Sequence, residues 1–104
     1  MIRHVVLLDL PEGHDSAELA AIMQGLAALQ HDIDGFKSFA HGPNRDFENM
    51  SPDCSYAFTC DFADEGTSLA YLENAKHKAL GARLVALCNG GAKGITVIDM
   101  DVQA

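Results

Sequence analysis

The sequence predicts one α+β domain over residues 1–104, with elements in the order β-α-β-β-α-β. Four stretches alternate apolar and polar residues with the period of a strand. Two others repeat apolar residues every three or four positions, as an amphipathic helix does. A chain of 104 residues that is 48% hydrophobic is large enough to bury one core. We therefore expect a single domain in which the helices pack against one sheet.

Period-two alternation defines the four strands, because successive side chains of a strand point to opposite faces of the sheet. The predicted strands cover residues 2–10, 36–41, 54–62 and 94–102. In strands one and three, the residues sharing one face are Ile2, His4, Val6, Leu8 and Leu10, and Tyr56, Phe58, Cys60 and Phe62. In strand two, the alternation separates Phe36, Ser38 and Ala40 from Lys37, Phe39 and His41.

Capping residues mark where the helices begin. Asp15 is the expected N-cap of the first helix, which carries an apolar stripe of Leu19, Ile22, Met23, Leu26 and Leu29. The second helical region divides into a short helix over residues 65–72, capped by Asp64, and a longer one over residues 75–88, capped by Asn74. Glycines at positions 90 and 91 end the longer helix.

The element order is that of the ferredoxin-like split βαβ fold, a four-stranded antiparallel sheet with its helices on one face. The opposite face then carries apolar side chains that nothing in the monomer covers. Packing two copies sheet to sheet would bury them, so we expect a homodimer that forms a dimeric α/β barrel. Residues 45–53 form a polar loop, expected to be a lid or mobile segment.

Composition excludes several classes of function. The net charge is −8 and the seven Lys and Arg residues are scattered, which argues against binding nucleic acid or an anionic membrane surface. No apolar run reaches the ~18 residues of a membrane span, and the start of the chain does not resemble a signal peptide. The three cysteines fit no zinc spacing and are expected to be reduced thiols in a cytoplasmic protein. We expect no metal and no cofactor.

The break between the two later helices is the best candidate site for chemistry. It brings Tyr71 close to His77, which is the third residue of a helix if Asn74 is the N-cap. The helix dipole, together with Lys76 and Lys78, disfavours imidazolium, so we expect a neutral His77 that accepts a proton. The Tyr71 hydroxyl could stabilise a developing oxyanion. The alternative is that His77 caps backbone groups and Tyr71 packs in the core.

Four segments together resemble the stress-responsive A/B barrel domain, a family of dimeric α/β barrels. They are residues 1–7, residues 33–39 with Gly42, residues 58–62 with Tyr71-Leu72 and Ala75-Lys76-His77, and residues 97–100. The resemblance implies a ferredoxin-like subunit whose sheet meets its partner's in a β-barrel. Most members lack a defined activity, and one plant member is a polyketide cyclase that uses neither metal nor organic cofactor.

The resemblance to that cyclase assigns site residues. Its catalytic tyrosine and histidine match Tyr71 and His77, and its strand-one histidine matches His4. A pocket histidine on its third strand is replaced by Tyr56, and a histidine-proline pair is replaced by Asn74 and Ala75. We therefore take His77 and Tyr71 as the candidate catalytic pair, and His4, Tyr56 and Asn74 as candidate ligand-binding residues. For His4 and Tyr56, packing in the core is the alternative.

Three functions remain open. The first is a homodimer that binds a small apolar or aromatic ligand beside the sheet, including a cofactor-free, cyclase-like lyase that uses the histidine–tyrosine pair. This hypothesis expects His4, Tyr56, Tyr71 and His77 to line one cavity. The second is a stress-associated homodimer without catalysis, which expects a filled core. The third, ranked last, is a cofactor-free monooxygenase, which needs a large open cavity. Whether the protein is an enzyme is left undecided.

Overall fold

The computed structural model describes residues 1–104 and has the predicted order of elements. Four strands, three α-helices and two short 3₁₀ helices follow one another along the chain. The strands are β1 (Ile2–Leu8), β2 (Phe36–Pro43), β3 (Tyr56–Phe62) and β4 (Ile95–Asp101). The α-helices are α1 (Ser16–Ala28), α2 (Glu65–Glu73) and α3 (Ala75–Leu87), and the 3₁₀ helices are Leu29–His31 and Gly91–Gly94.

The four strands form one antiparallel sheet in the order β2-β3-β1-β4. β1 therefore lies inside the sheet, with His4 directly opposite Cys60 of β3 and Asp99 of β4. Directly opposed residues share a face, so these three side chains all point to the side where the helices lie. This arrangement confirms the predicted ferredoxin-like fold.

The core lies between the sheet and the helices. Sixteen buried side chains form one cluster. The sheet and α1 contribute most of it, through Val6, Leu8, Phe58, Cys60, Phe62, Leu19, Ile22, Met23 and Leu26. The side chain of Asp15 caps α1 by accepting a hydrogen bond from the backbone N–H of Glu18, as predicted. Helix α1 approaches α3 closely at Gly25, where a Cβ atom would lie 2.8 Å from Leu80.

Strand β2 corrects the predicted alternation. Its pairing with β3 shifts between Phe36 and Ser38, which is a β-bulge at Lys37. Because the bulge adds one residue, Phe39 lies opposite Cys60 and faces the helices, as Phe36 does. The prediction that Phe36 and Phe39 occupy opposite faces was therefore wrong. The strand bounds also differ by up to two residues, since β1 ends at Leu8 rather than at position 10.

The face of the sheet away from the helices, called here the open face, carries apolar side chains. In β1 it presents Val5 and Leu7, which lie opposite Ile98 and Thr96 of β4. Ile98 is 50% exposed and Met100, on the same face, is 42% exposed. No element of the chain packs over these residues of β4. None of the helices has both the length and the apolar character required to cross a membrane.

Candidate functional site

The break between α2 and α3 is built by Asn74. Its backbone N–H donates to the carbonyl of Tyr71 and ends α2, while its side-chain oxygen accepts from the N–H of His77 at 3.0 Å and starts α3. Asn74 itself is extended, with φ −65° and ψ 128°, so the chain turns between the two helices. The turn brings the rings of Tyr71 and His77 to a centroid separation of 4.0 Å. The predicted proximity of the two side chains is confirmed.

Tyr71 lies at the centre of an aromatic cluster and is only 1% exposed. Its ring centroid is 5.5 Å from that of His4 and 4.9 Å from that of Phe62. The hydroxyl accepts a long hydrogen bond from the Cys60 thiol, with 3.9 Å between sulfur and oxygen. Burial raises the pKa of Tyr71 well above its ordinary value, so the phenol stays protonated. Tyr71 is therefore both a core residue and a potential hydrogen-bond donor.

His77 is half-buried, and its Nδ1 atom is buried without a hydrogen-bond partner. The pKa of His77 is lowered, first by this burial, and then by His4 and Lys78; the nearby Leu72 carbonyl acts in the opposite direction. A neutral imidazole at pH 7 agrees with the prediction. The main cause of the lowered pKa differs from the predicted one, however, because burial of His77 lowers it more than the charge of the neighbouring lysine does.

His4 forms a pair with Asp99 that the sequence pattern does not predict. Its Nδ1 atom is 2.7 Å from Oδ1 of Asp99, and His4 is 7% exposed while the Asp99 side chain is 58% exposed. An ionised carboxylate accepts from Nδ1–H and leaves Nε2 of a neutral imidazole as an acceptor. The only sequence signal for Asp99 is its position on the last strand, and finding its partner requires the register between β1 and β4.

A cavity of about 530 Å³ opens between α2 and the β1–β4 half of the sheet. His4, Tyr71 and Asp99 lie at its polar side, and Phe62, Leu69 and Leu72 are among its apolar lining residues. On this side of the cavity β4 is an edge strand of the sheet and is exposed from Thr96 to Asp101. The lining also contains the carboxylates of Asp64, Glu65, Asp99 and Asp101 and no lysine or arginine.

The candidate site residues do not all meet in this cavity. His4 and Tyr71 line it, whereas His77 and Asn74 do not. Tyr56 faces the helices as predicted, but it is four residues from Cys60 along β3, or about 13 Å. There its hydroxyl lies 2.6 Å from Nδ1 of His41, beside a separate cleft of about 400 Å³. The expectation that His4, Tyr56, Tyr71 and His77 line one cavity was wrong.

Comparison with known proteins agrees with this architecture. The family model of the stress responsive A/B barrel domain matches residues 2–102. The chain belongs to this family. A dimeric ferredoxin-like protein of unknown function from Jannaschia sp. CCS1 is 36% identical, with a TM-score of 0.84 over 97% of this chain and 98% of its own. No curated protein matches the chain.

Two solved enzymes share the fold at low identity. Hydroxynitrile lyase from Passiflora edulis is 14% identical, with a TM-score of 0.81 over 98% of this chain and 93% of its own. SnoaB, a cofactor-independent oxygenase from Streptomyces nogalater, is 16% identical, with a TM-score of 0.75 over 99% of this chain and 93% of its own. At these identities the similarity concerns the fold alone, and an activity must be argued from this chain's own residues.

Proposed function

We propose that this family member is a homodimer that binds a small, mainly apolar or aromatic ligand in the cavity between α2 and the β1–β4 half of the sheet. The observation that carries the proposal is the cavity itself. Its volume of about 530 Å³ lies within the range typical of small-molecule sites. It combines an apolar wall with a few convergent polar groups, His4, Tyr71 and Asp99, which is the usual composition of such sites.

The charges around the cavity narrow the class of ligand. Four carboxylates line it, against His4 and the α-amino group of Met1 and with no lysine or arginine, and the chain as a whole carries a net charge of −8. An anionic ligand would be repelled by this field, whereas a neutral or cationic one would not. We therefore expect neutral aromatic molecules or apolar amines to bind in preference to fatty acids of similar size.

The open face of the sheet supports the homodimer. Ile98 and Met100 are 50% and 42% exposed there, and apolar side chains exposed side by side on one face favour an interaction surface. A second copy presents the same face, so one twofold axis would bury both patches. The relative from Jannaschia sp. CCS1, which shares 36% of the sequence, is itself described as dimeric.

Ligand binding is tested by thermal shift with three probe classes: neutral phenols such as naphthol, an arylalkylamine, and octanoate as the anionic comparator. We expect the first two to raise the Tm of the wild-type protein and octanoate not to. His4→Asn should abolish the shift, because His4 lines the cavity. His41→Asn is the matched control, since His41 faces the helices from β2, outside the cavity lining. Equal shifts in both variants, or none in the wild type, would refute the proposal.

A cofactor-free lyase or cyclase is the second candidate. It is supported by a neutral His77 against the ring of Tyr71, which is a potential base beside a protonated phenol. The minimal test is exchange of α-protons of a 1,3-diketone in D₂O, followed by NMR. We expect His77→Ala to remove any exchange above background while leaving the dimer intact. Exchange equal to the buffer rate in the wild type would contradict the enzyme hypothesis without affecting ligand binding.

A further inference from the structure

The loop between β2 and β3, residues 44–55, carries the most exposed large apolar side chains of the chain. Phe47 is 84% exposed and Met50 is 81% exposed, well above Ile98 at 50% on the open face. Single exposed apolar residues are common on protein surfaces, but two that are almost fully exposed on one short loop are not explained by packing within the monomer.

This loop is ordered by its own hydrogen bonds. The Asn44 amide donates to Oγ of Ser51 at 2.8 Å and to the carbonyl of Cys54 at 2.7 Å. Oδ1 of Asp46 accepts from the backbone N–H groups of Met50 and Ser51 at 2.9 and 3.0 Å. Asp46 also adopts the left-handed conformation, with a φ of 45°, which aspartate tolerates better than most residues other than glycine. The chain therefore holds Phe47 and Met50 exposed to water in a conformation that these hydrogen bonds define.

The loop adjoins the open face of the sheet. A cleft of about 740 Å³ lies between the loop and two open-face residues, Leu7 and Ala57. Phe47 and Met50 line the cleft from the loop side, and the guanidinium of Arg45 lies 5.2 Å from the centre of the Phe47 ring. The exposed loop residues and the open face therefore form one continuous surface.

We propose that loop 44–55 clasps a second copy of this chain, so that Phe47 and Met50 become buried against the partner when the two open faces meet. This inference rests on the homodimer proposed above and adds the loop to its interface. The partner is assigned by the continuity of the loop with the open face, which the proposed homodimer buries: the cleft that Phe47 and Met50 line is also lined by Leu7 and Ala57 of that face. In a twofold dimer each loop would make the same contact, so the clasp would be formed twice.

The size of the open face explains why the loop is needed. Four strands of about seven residues present a projected face of about 440 Å², from the usual strand spacing and rise. A stable protein–protein interface buries about 800 Å² on each partner. Side-chain relief enlarges the contact, but the sheet face remains near the lower limit. Two exposed apolar side chains beside its edge supply additional area where a partner would lie.

The first experiment measures the dimer dissociation constant by sedimentation velocity over a dilution series. We expect Phe47→Ser with Met50→Ser to raise the constant by about tenfold or more, since the dimer would no longer remove two large apolar side chains from water. Val97→Ser is the control, because it removes an exposed apolar side chain that lies opposite Val6 on the helix side of β4, away from the open face and outside the cavity lining. Ile98→Glu, which introduces a charge on the open face, should give monomers.

These variants separate the two proposals. A wild-type monomer would overturn both the homodimer and the clasp. A dimer that Ile98→Glu dissociates, and that the loop variant leaves at the wild-type constant, would overturn the clasp alone. A control that weakens the dimer as much as the loop variant would also overturn it, because the effect would not be specific to the loop.

A second measurement tests the proposal without requiring a variant that dissociates the dimer. The chain has no tryptophan, so Phe47→Trp introduces a single fluorescent reporter at the loop. We expect blue-shifted emission in the dimer and a shift to the red on dilution, or when Ile98→Glu is added. Emission typical of exposed tryptophan in a sample that sedimentation shows to be dimeric would refute the proposal.

Discussion

Tyr71→Phe is the substitution that best separates a functional hydroxyl from a structural one. The tyrosine ring is 1% exposed and packs against four other rings, those of His4, Phe36, Phe62 and His77. The hydroxyl, in contrast, makes only the 3.9 Å contact with the Cys60 thiol. Burial raises the pKa of Cys60 to about 12, so the thiol stays protonated and remains a weak donor.

The magnitude follows from two opposing contributions. A buried neutral hydrogen bond contributes about 1 kcal/mol, and a thiol donor less than that. Burying a hydroxyl costs about 1–3 kcal/mol, and phenylalanine avoids this cost. We therefore expect Tyr71→Phe to change the free energy of unfolding by less than about 1 kcal/mol, whereas Tyr71→Ala should cost about 3–5 kcal/mol because it removes the ring. Cys60→Ala should cost more than Tyr71→Phe, because it leaves the hydroxyl without a partner.

Urea unfolding followed by circular dichroism measures these values, and a double-mutant cycle of Tyr71→Phe with Cys60→Ala gives the coupling between the two groups. The ligand-dependent thermal shift is then measured on Tyr71→Phe. A stable variant that no longer responds to ligand would assign the hydroxyl to the cavity. A loss of more than about 2 kcal/mol in Tyr71→Phe would show that the hydroxyl is structural and that our reasoning about Tyr71 is wrong.

Four further predictions concern the residues that hold the site in place. Gly35 has φ +92°, and a Cβ there would lie 2.5 Å from Oγ1 of Thr67, so Gly35→Ala should cost about 2 kcal/mol or more in urea unfolding. Gly81→Ala, with free space in the middle of α3, should instead stabilise by about 0.5–1 kcal/mol. Asn74→Ala removes the cap of α3 and should cost about 1 kcal/mol; no change would show that the cap is dispensable. The pKa of His77 is lowered from its ordinary 6.5, so the unfolded state binds the proton first as pH falls. The free energy of unfolding of the wild type should therefore decrease as the pH falls below about 6.5. The Tm of His77→Gln, measured across the same pH range, should decrease less than that of the wild type.

The fold was predictable because its elements obey local rules. The stripe of α1 and the caps at Asp15, Asp64 and Asn74 are visible in the sequence, and all three caps are observed. The β-bulge at Lys37 was not predictable, because an inserted residue leaves no signature when the flanking residues still alternate plausibly. Only strand pairing shows that Phe36 and Phe39 share a face.

The candidate site was only partly predictable, for a similar reason. Tyr71 and His77 are six positions apart and joined by a capped turn, so local geometry brings them together. Asp99 and His4 are 95 positions apart, and their contact depends on the register of two strands that no hairpin connects. The prediction for Tyr56 was wrong for a different reason. Tyr56 shares a face with Cys60, as the alternation predicts, but it lies too far along β3 to reach the cavity that His4 and Tyr71 line.

Two possible bases lie beside Tyr71, His4 with its partner Asp99 and His77, and they differ in whether a ligand in the cavity can contact them. His4 and Asp99 line the cavity, whereas His77 packs against the Tyr71 ring and is absent from the lining. A ligand in this cavity therefore meets His4 before His77. If the diketone exchanges protons, the comparison of His4→Asn with His77→Ala identifies the base. Exchange lost only in His4→Asn would assign proton transfer to the His4–Asp99 pair and leave His77 as a packing residue. Exchange lost only in His77→Ala would assign the base to His77 and would mean that the diketone reaches this half-buried imidazole from outside the cavity.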